Sequence, residues 1–156
     1  MTRTLGVVMD SIESINPYKD TTLLLLLAAQ NRGWEIMYMQ QHDLSLENEN
    51  PVASMSQLRV KDHQTDWFSL GQPKLTSLSD LNVILMRKDP PFDSQFLHTT
   101  YLLSQAEDAG ALIINKPQSL RDCNEKLFAT QFPECCPEVL VASDAKVLKA
   151  FHARHG

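Results

Sequence analysis

A chain of 156 residues with 14 Lys and Arg against 19 Asp and Glu has a net charge of −5 at pH 7. It is one ordinary domain in size, able to bury roughly two thirds of the surface its unfolded form exposes. With no Lys/Arg run longer than two residues, it offers no basic field to a nucleic-acid backbone, and nucleic-acid partners are excluded.

The opening segment TLGVVMD (4–10) is a short apolar run suited to a buried strand. A polar loop, SIESINPYKD, leads to Asp20, which can cap a helix TTLLLLLAAQNR, and Gly33 stands just past its end. The run of leucines predicts a continuous face buried against a sheet. WEIMYMQ then reads as a second strand, completing a βαβ unit. The same order returns in LNVILM, a rigid charged turn, a helix from about Asp93 to Ala109, Gly110 as its stop, and the strand ALIIN. Two such units predict an α/β fold with a mostly parallel sheet and helices on both faces. Between them, the Asn/Glu turn in LSLENENPVASMS, flanked by alternating residues, reads as an inserted hairpin. After Asn115 a turn and another helix are expected, with a start near Leu120 or Arg121. PECCPEVLVA then reads as an extended link, and the last helix is capped by Ser143 or Asp144.

The longest apolar run, Leu23 to Ala29, is far below spanning length, and the amino terminus lacks a signal-type apolar core and cleavage site. The expectation is a cytoplasmic protein with no membrane contact. Three cysteines, Cys123, Cys135 and Cys136, contain no C-x-x-C pair and read as free thiols. The five histidines are scattered, so no metal site is expected.

The first strand-to-helix turn is ten residues long and holds no glycine, which argues against a G-x-G-x-x-G dinucleotide site. No P-loop, G-x-S-x-G or H-E-x-x-H motif is present either. Polar residues do stand at three expected carboxyl ends of strands: Asp10 and Ser11, then Arg87, Lys88 and Asp89, then Asn115, Lys116 and Gln118. Each cluster alone is explained by a cap or a solvated turn. Together they line one sheet edge, where open α/β sheets bind ligands. Arg87 suits a carboxylate or phosphate because its guanidinium makes two parallel hydrogen bonds. In RDCNEKLF, spacing alone gives an amphipathic helix with Arg121 and Glu125 as an i, i+4 pair.

The blocks GVVMDSIESINPYKDTT, VILMRKDPPFD and TTYLLSQAEDAGALIINKPQSLRDCNEKLF, spread over about Leu5 to His155, resemble the amino-terminal part of bacterial glutathione synthetases, which are ATP-grasp ligases. The resemblance implies a Rossmann-like pre-ATP-grasp domain over 1–120 and the start of the ATP-grasp portion over 121–156. Such enzymes join γ-glutamylcysteine to glycine with ATP and Mg2+, through an acyl phosphate on the cysteinyl carboxylate, and act as homo-oligomers. Matched to the family, Arg87 has the catalytic and substrate-binding role of holding the anionic peptide or acyl phosphate. Asp10, Ser11 and Asn16 line the peptide site, and Lys126 reaches an ATP phosphate. The family's second ATP lysine, its glycine-rich loop and its magnesium ligands have no counterpart in these 156 residues. The chain by itself is therefore expected to be inactive. The other readings are a non-catalytic small-ligand binder and a subunit-assembly module, and Val147, Leu148 and Phe151 of the last helix are expected to form an exposed apolar patch.

Overall fold

The computed structural model describes residues 2–88, 91–123 and 126–155. It has two compact units, residues 1–118 and 119–156. In chain order the first holds β1 (Thr4–Val8), α1 (Thr21–Asn31), β2 (Glu35–Met39), β3 (Leu44–Glu47) and β4 (Asn50–Val60). It continues with β5 (Phe68–Leu70), β6 (Lys74–Ser77), β7 (Val83–Met86), α2 (Ser94–Asp108) and β8 (Leu112–Ile114). Strands β2, β1, β7 and β8 lie side by side in that order, every pair parallel. The two βαβ units read from the sequence are thus β1-α1-β2 and β7-α2-β8.

Each helix starts and stops where its punctuation says. The Asp20 carboxylate accepts the Leu23 amide at 2.7 Å, and the Asp93 carboxylate accepts that of Phe96 at 2.8 Å. Each pairing satisfies one of the orphan donors of a first turn. Gly33 and Gly110 end the helices with φ of +76° and +107°, a region that costs a residue with a Cβ. The leucine run of α1 departs from expectation. Leu23 and Leu26 are buried, but Leu24 is 64 % and Leu25 47 % exposed. Successive helical residues point about 100° apart, so consecutive leucines cannot share one face.

The face of the sheet under α1 carries Leu5, Val7, Ile36 and Tyr38, which join Leu23 and Leu26 in one core. On the opposite side of the pleat Val8, Ile84 and Met86 are buried too, and α2 packs against β8, β3 and β4. Helices therefore cover both faces. The inserted hairpin is β3-β4, turned by Asn48 and Glu49 with φ of 47° and 68°. Two consecutive positive φ values give the turn whose twist matches that of a hairpin. Beyond the hairpin, β4 also pairs antiparallel with β2, β5 and β6, joining the inserted strands to the parallel sheet.

A further helix, α3 (Pro117–Asp122), starts earlier than expected and crosses from the first unit into the second. Asn124 and Glu125 lie outside the described residues, so the Arg121–Glu125 pair lies there too. Short 3-10 turns follow at Phe128–Gln131 and Pro133–Cys135, the second replacing the start of the expected extended link. In α4 (Ala145–His155), Asp144 supplies the cap, accepting the Lys146 amide at 2.8 Å. Val147 and Leu148 are exposed and Phe151 is half-buried; indeed no described residue of 119–155 is buried. Among the described residues no helix is long and apolar enough to cross a membrane.

Candidate functional site

Parallel register brings the carboxyl ends of β1 and β7 together, with Val8 opposite Met86. The pairing continues one residue further, the Arg87 amide donating to the Val8 carbonyl at 2.8 Å. Arg87 therefore leaves the sheet beside the loop that β1 feeds. That loop has no glycine and is held by its own turns. The Ser11 carbonyl accepts from the Ser14 amide and hydroxyl at 2.9 and 2.7 Å, and the Asn16 carbonyl accepts from the Lys19 and Asp20 amides at 2.9 and 3.0 Å. The Asn16 side chain accepts the Tyr18 amide at 3.1 Å.

Two aromatic residues hold the loop from behind. The Tyr38 hydroxyl accepts the Ile12 amide at 3.2 Å and donates to the Asp10 carbonyl at 3.5 Å. Burial pushes this phenol above its ordinary pKa, with the Ile12 hydrogen bond partly opposing the rise. The Trp67 indole donates to the Ile12 carbonyl at 3.2 Å, and Gln64 donates to the Tyr18 hydroxyl at 2.7 Å. Both Gln64 and Trp67 come from the β4–β5 connection, closed by a Lys61–Asp66 ion pair of 2.7 Å. The Lys61 ammonium holds the exposed Asp66 carboxyl below its ordinary pKa. His63 serves this turn as an acceptor, its Nδ1 taking the Asp66 amide at 3.0 Å.

Loop, helix start and strand end enclose a polar cleft of about 440 Å³. Asp10, Ser14, Asn16 and Lys19 line it from the loop, and Arg87 lines it from β7. Asp20, Thr21 and Thr22 complete it from the start of α1. The guanidinium of Arg87 donates from Nε to Thr22 Oγ1 at 3.0 Å and from Nη2 to Thr21 Oγ1 at 2.9 Å. Lys88, largely buried, turns instead onto Asp10, with Nζ 2.9 Å from Oδ1. The two adjacent cations thus differ: one meets a carboxylate, the other two neutral hydroxyls. Such a cleft can take a small anionic ligand by charge-assisted hydrogen bonds.

Of the residues singled out from sequence, Asp10, Asn16 and Arg87 come together here. Ser11 is not among the lining residues and builds the loop through its carbonyl. Asn115 and Lys116 stand exposed at the end of β8, outside the cleft lining. Lys126 belongs to the second unit, in an exposed turn. Asp89 and Pro90 of the rigid turn lie outside the described residues. Sequence reasoning missed Ser14, Lys19, Thr21 and Thr22. The adjacent hydroxyls after a capping Asp were visible, but their contact with Arg87 spans 65 and 66 positions and depends on the β1-β7 register. Among the described residues no group of three or more His, Cys, Asp or Glu could hold a metal ion. The three cysteines are free thiols.

Residues 4–121 match the family model described as prokaryotic glutathione synthetase, N-terminal domain. The chain is similar to the glutathione synthetase of Yersinia pestis, 52 % identical over 97 % of this chain and 48 % of the relative. It is likewise similar to those of Pseudomonas syringae pv. tomato, at 54 %, and Shewanella oneidensis, at 50 %, with the same shares of each covered. The chain spans about half the length of the relatives it matches. With the model matching well over half the chain, this protein belongs to the prokaryotic glutathione synthetase N-terminal domain family.

Proposed function

We propose that this chain supplies the peptide-holding part of a ligase that joins γ-glutamylcysteine to glycine, with ATP converted to ADP and phosphate through an acyl phosphate on the cysteinyl carboxylate. The observation that carries this reading is Arg87, fixed on the Val8 carbonyl through its main chain and on two threonines through its side chain, in a cleft shared with Asp10 and Asn16. γ-Glutamylcysteine is a small ligand with two carboxylates, and a guanidinium is the side chain that grips such a group along two parallel hydrogen bonds. Holding the reacting carboxylate in place contributes to the reaction by orientation, an effect that reaches about 7 kcal/mol or more for well-aligned reactants. Asp10 and Asn16 serve the same peptide, and Ser11 serves it through the loop it shapes.

The reading makes residues 1–120 the pre-ATP-grasp domain and 121–156 the start of the ATP-grasp portion, in which Lys126 reaches an ATP phosphate. Magnesium is implied by the same reading; among the described residues no group of three or more His, Cys, Asp or Glu could hold a metal ion. This chain's own contribution is to bind and orient the peptide. The free thiols agree with a cytoplasmic location. Self-association is part of the proposal, supported by the apolar side chains that Leu24 and Leu25 leave exposed on α1.

Calorimetric titration of the 156-residue chain with γ-glutamylcysteine, and separately with magnesium ATP, tests the reading. Peptide binding that Arg87→Ala abolishes is the expected result. An Arg87→Ala chain that binds the peptide as the parent does overturns the role of Arg87, and ATP-dependent, glycine-dependent turnover by these 156 residues alone overturns the assignment of a peptide-holding part only.

A further inference from the structure

An arginine on a loop surface samples many rotamers, and a ligand that needs one of them must select it. Arg87 is not in that condition. Its Nε and Nη2 lie on one edge of the planar guanidinium, and Thr22 and Thr21 take that edge at 3.0 and 2.9 Å. The adjacent edge, formed by Nη1 and the second hydrogen of Nη2, has the two parallel donors a carboxylate accepts. Thr22 is 4 % exposed, so one of the two anchors is itself fixed by packing.

The chemistry of the anchors matters as much as their position. A carboxylate on the same edge would hold the guanidinium equally well but would cancel its charge, as Asp10 does for Lys88. A hydroxyl is a neutral acceptor: it orients the guanidinium and leaves the full positive charge for the cleft. We propose that Thr21 and Thr22 are positioning residues that lock Arg87 with its Nη1–Nη2 edge presented, fully charged, to a carboxylate of the peptide substrate. The inference rests on the reading of Arg87 as the peptide's anchor. Neither threonine touches reacting atoms. Both act by removing the ordering that a loose arginine would undergo on binding.

The test is titration of γ-glutamylcysteine into five forms of the chain: the parent, Thr22→Val, Thr21→Ala combined with Thr22→Val, Thr22→Ser, and Arg87→Ala. Valine keeps the shape of threonine and removes the acceptor, whereas serine keeps the acceptor and removes the methyl. If the lock operates, Thr22→Val binds about three- to tenfold more weakly, the double variant is weaker still, and Thr22→Ser stays within about twofold of the parent. Two results overturn the lock while leaving Arg87 as the anchor: valine variants that bind like the parent when Arg87→Ala does not, or a weakening in Thr22→Val that Thr22→Ser shares, which marks a packing role. A parent chain that fails to bind the peptide, or an Arg87→Ala chain that binds it normally, removes the reading underneath and the lock with it.

Discussion

Gly6 sits in the middle of β1, paired with Met37 of β2 on one side and Ile84 of β7 on the other. A methyl group added there would lie 2.6 Å from Leu81 Cδ1, 3.1 Å from Met39 Cε and 3.3 Å from Ile84 Cγ1. Carbon atoms in contact rest about 3.5 to 4.0 Å apart, so Leu81 would have to retreat by about 1 Å. It has little room, being 3 % exposed, and Met39 beside it has none at 0 %. Overpacking of a filled core costs about 1 to 3 kcal/mol, and replacing glycine in a compatible extended conformation returns about 0.4 to 1 kcal/mol through the unfolded chain. The net expectation for Gly6→Ala is a loss of roughly 1 to 2 kcal/mol, a fall in Tm of about 3 to 10 °C for a unit of this size. Differential scanning calorimetry and a urea melt read it. Gly33→Ala is the comparison, because nothing lies within 4 Å of its added Cβ and its φ of +76° alone sets the cost, about 1 to 2 kcal/mol. A Gly6→Ala chain that melts within about 1 °C of the parent would refute the claim that this face is filled to contact.

Removing the helix cap with Asp20→Ala should cost about 1 kcal/mol in a urea melt, because the Leu23 amide loses its partner. Trp67→Phe leaves the Ile12 carbonyl without the indole donor and is expected to destabilise by about 1 kcal/mol; unchanged stability would show that the β4–β5 connection does not brace the loop. For Tyr38 the folded-state pKa is raised above the ordinary 10.0, so the folded chain holds the phenolic proton more tightly than the unfolded one. Its contribution is complete below pH 10.0 and is lost as pH rises from there through the folded pKa. Denaturation from pH 8 to about 11 should therefore show the parent losing stability more steeply at the alkaline end than Tyr38→Phe, and parallel curves would count against the effect.

Local chemistry was readable wherever a residue acts on its own neighbours. Asp20, Asp93, Gly33 and Gly110 mark the helix ends, and each does so through an interaction within three or four positions or through its own φ. Asn48 and Glu49 mark the hairpin in the same way. The difficulties begin where a side chain's partner is distant. The leucines of α1 look alike in sequence, but the sheet selects Leu23 and Leu26 and leaves Leu24 and Leu25 outside. α3 carried a usable signal, since Pro117 suits a first helical position; the charge spacing around Arg121 pointed further along the chain instead. β4 was legible as one arm of the hairpin with β3, but its pairings with β2, β5 and β6 join segments through tertiary register and leave no local signal. At the cleft, Arg87 was visible as a charge at a strand end. Its threonine partners required the tertiary register.

The second unit, in which no described residue from 119 to 155 is buried, has a thermodynamic consequence. Heat capacity rises on unfolding because apolar surface is newly wetted, and these residues, exposed or at most partly buried, have less of it left to wet. The calorimetric increment should then lie closer to that of the first unit alone, residues 1–118, at about 1.4 to 1.8 kcal/mol/K, than to the roughly 1.9 to 2.3 kcal/mol/K of a fully packed chain of this length. Melting this protein weighs mainly its first unit, and an exposed-face substitution in α4 can change what the surface attracts while leaving the main transition in place.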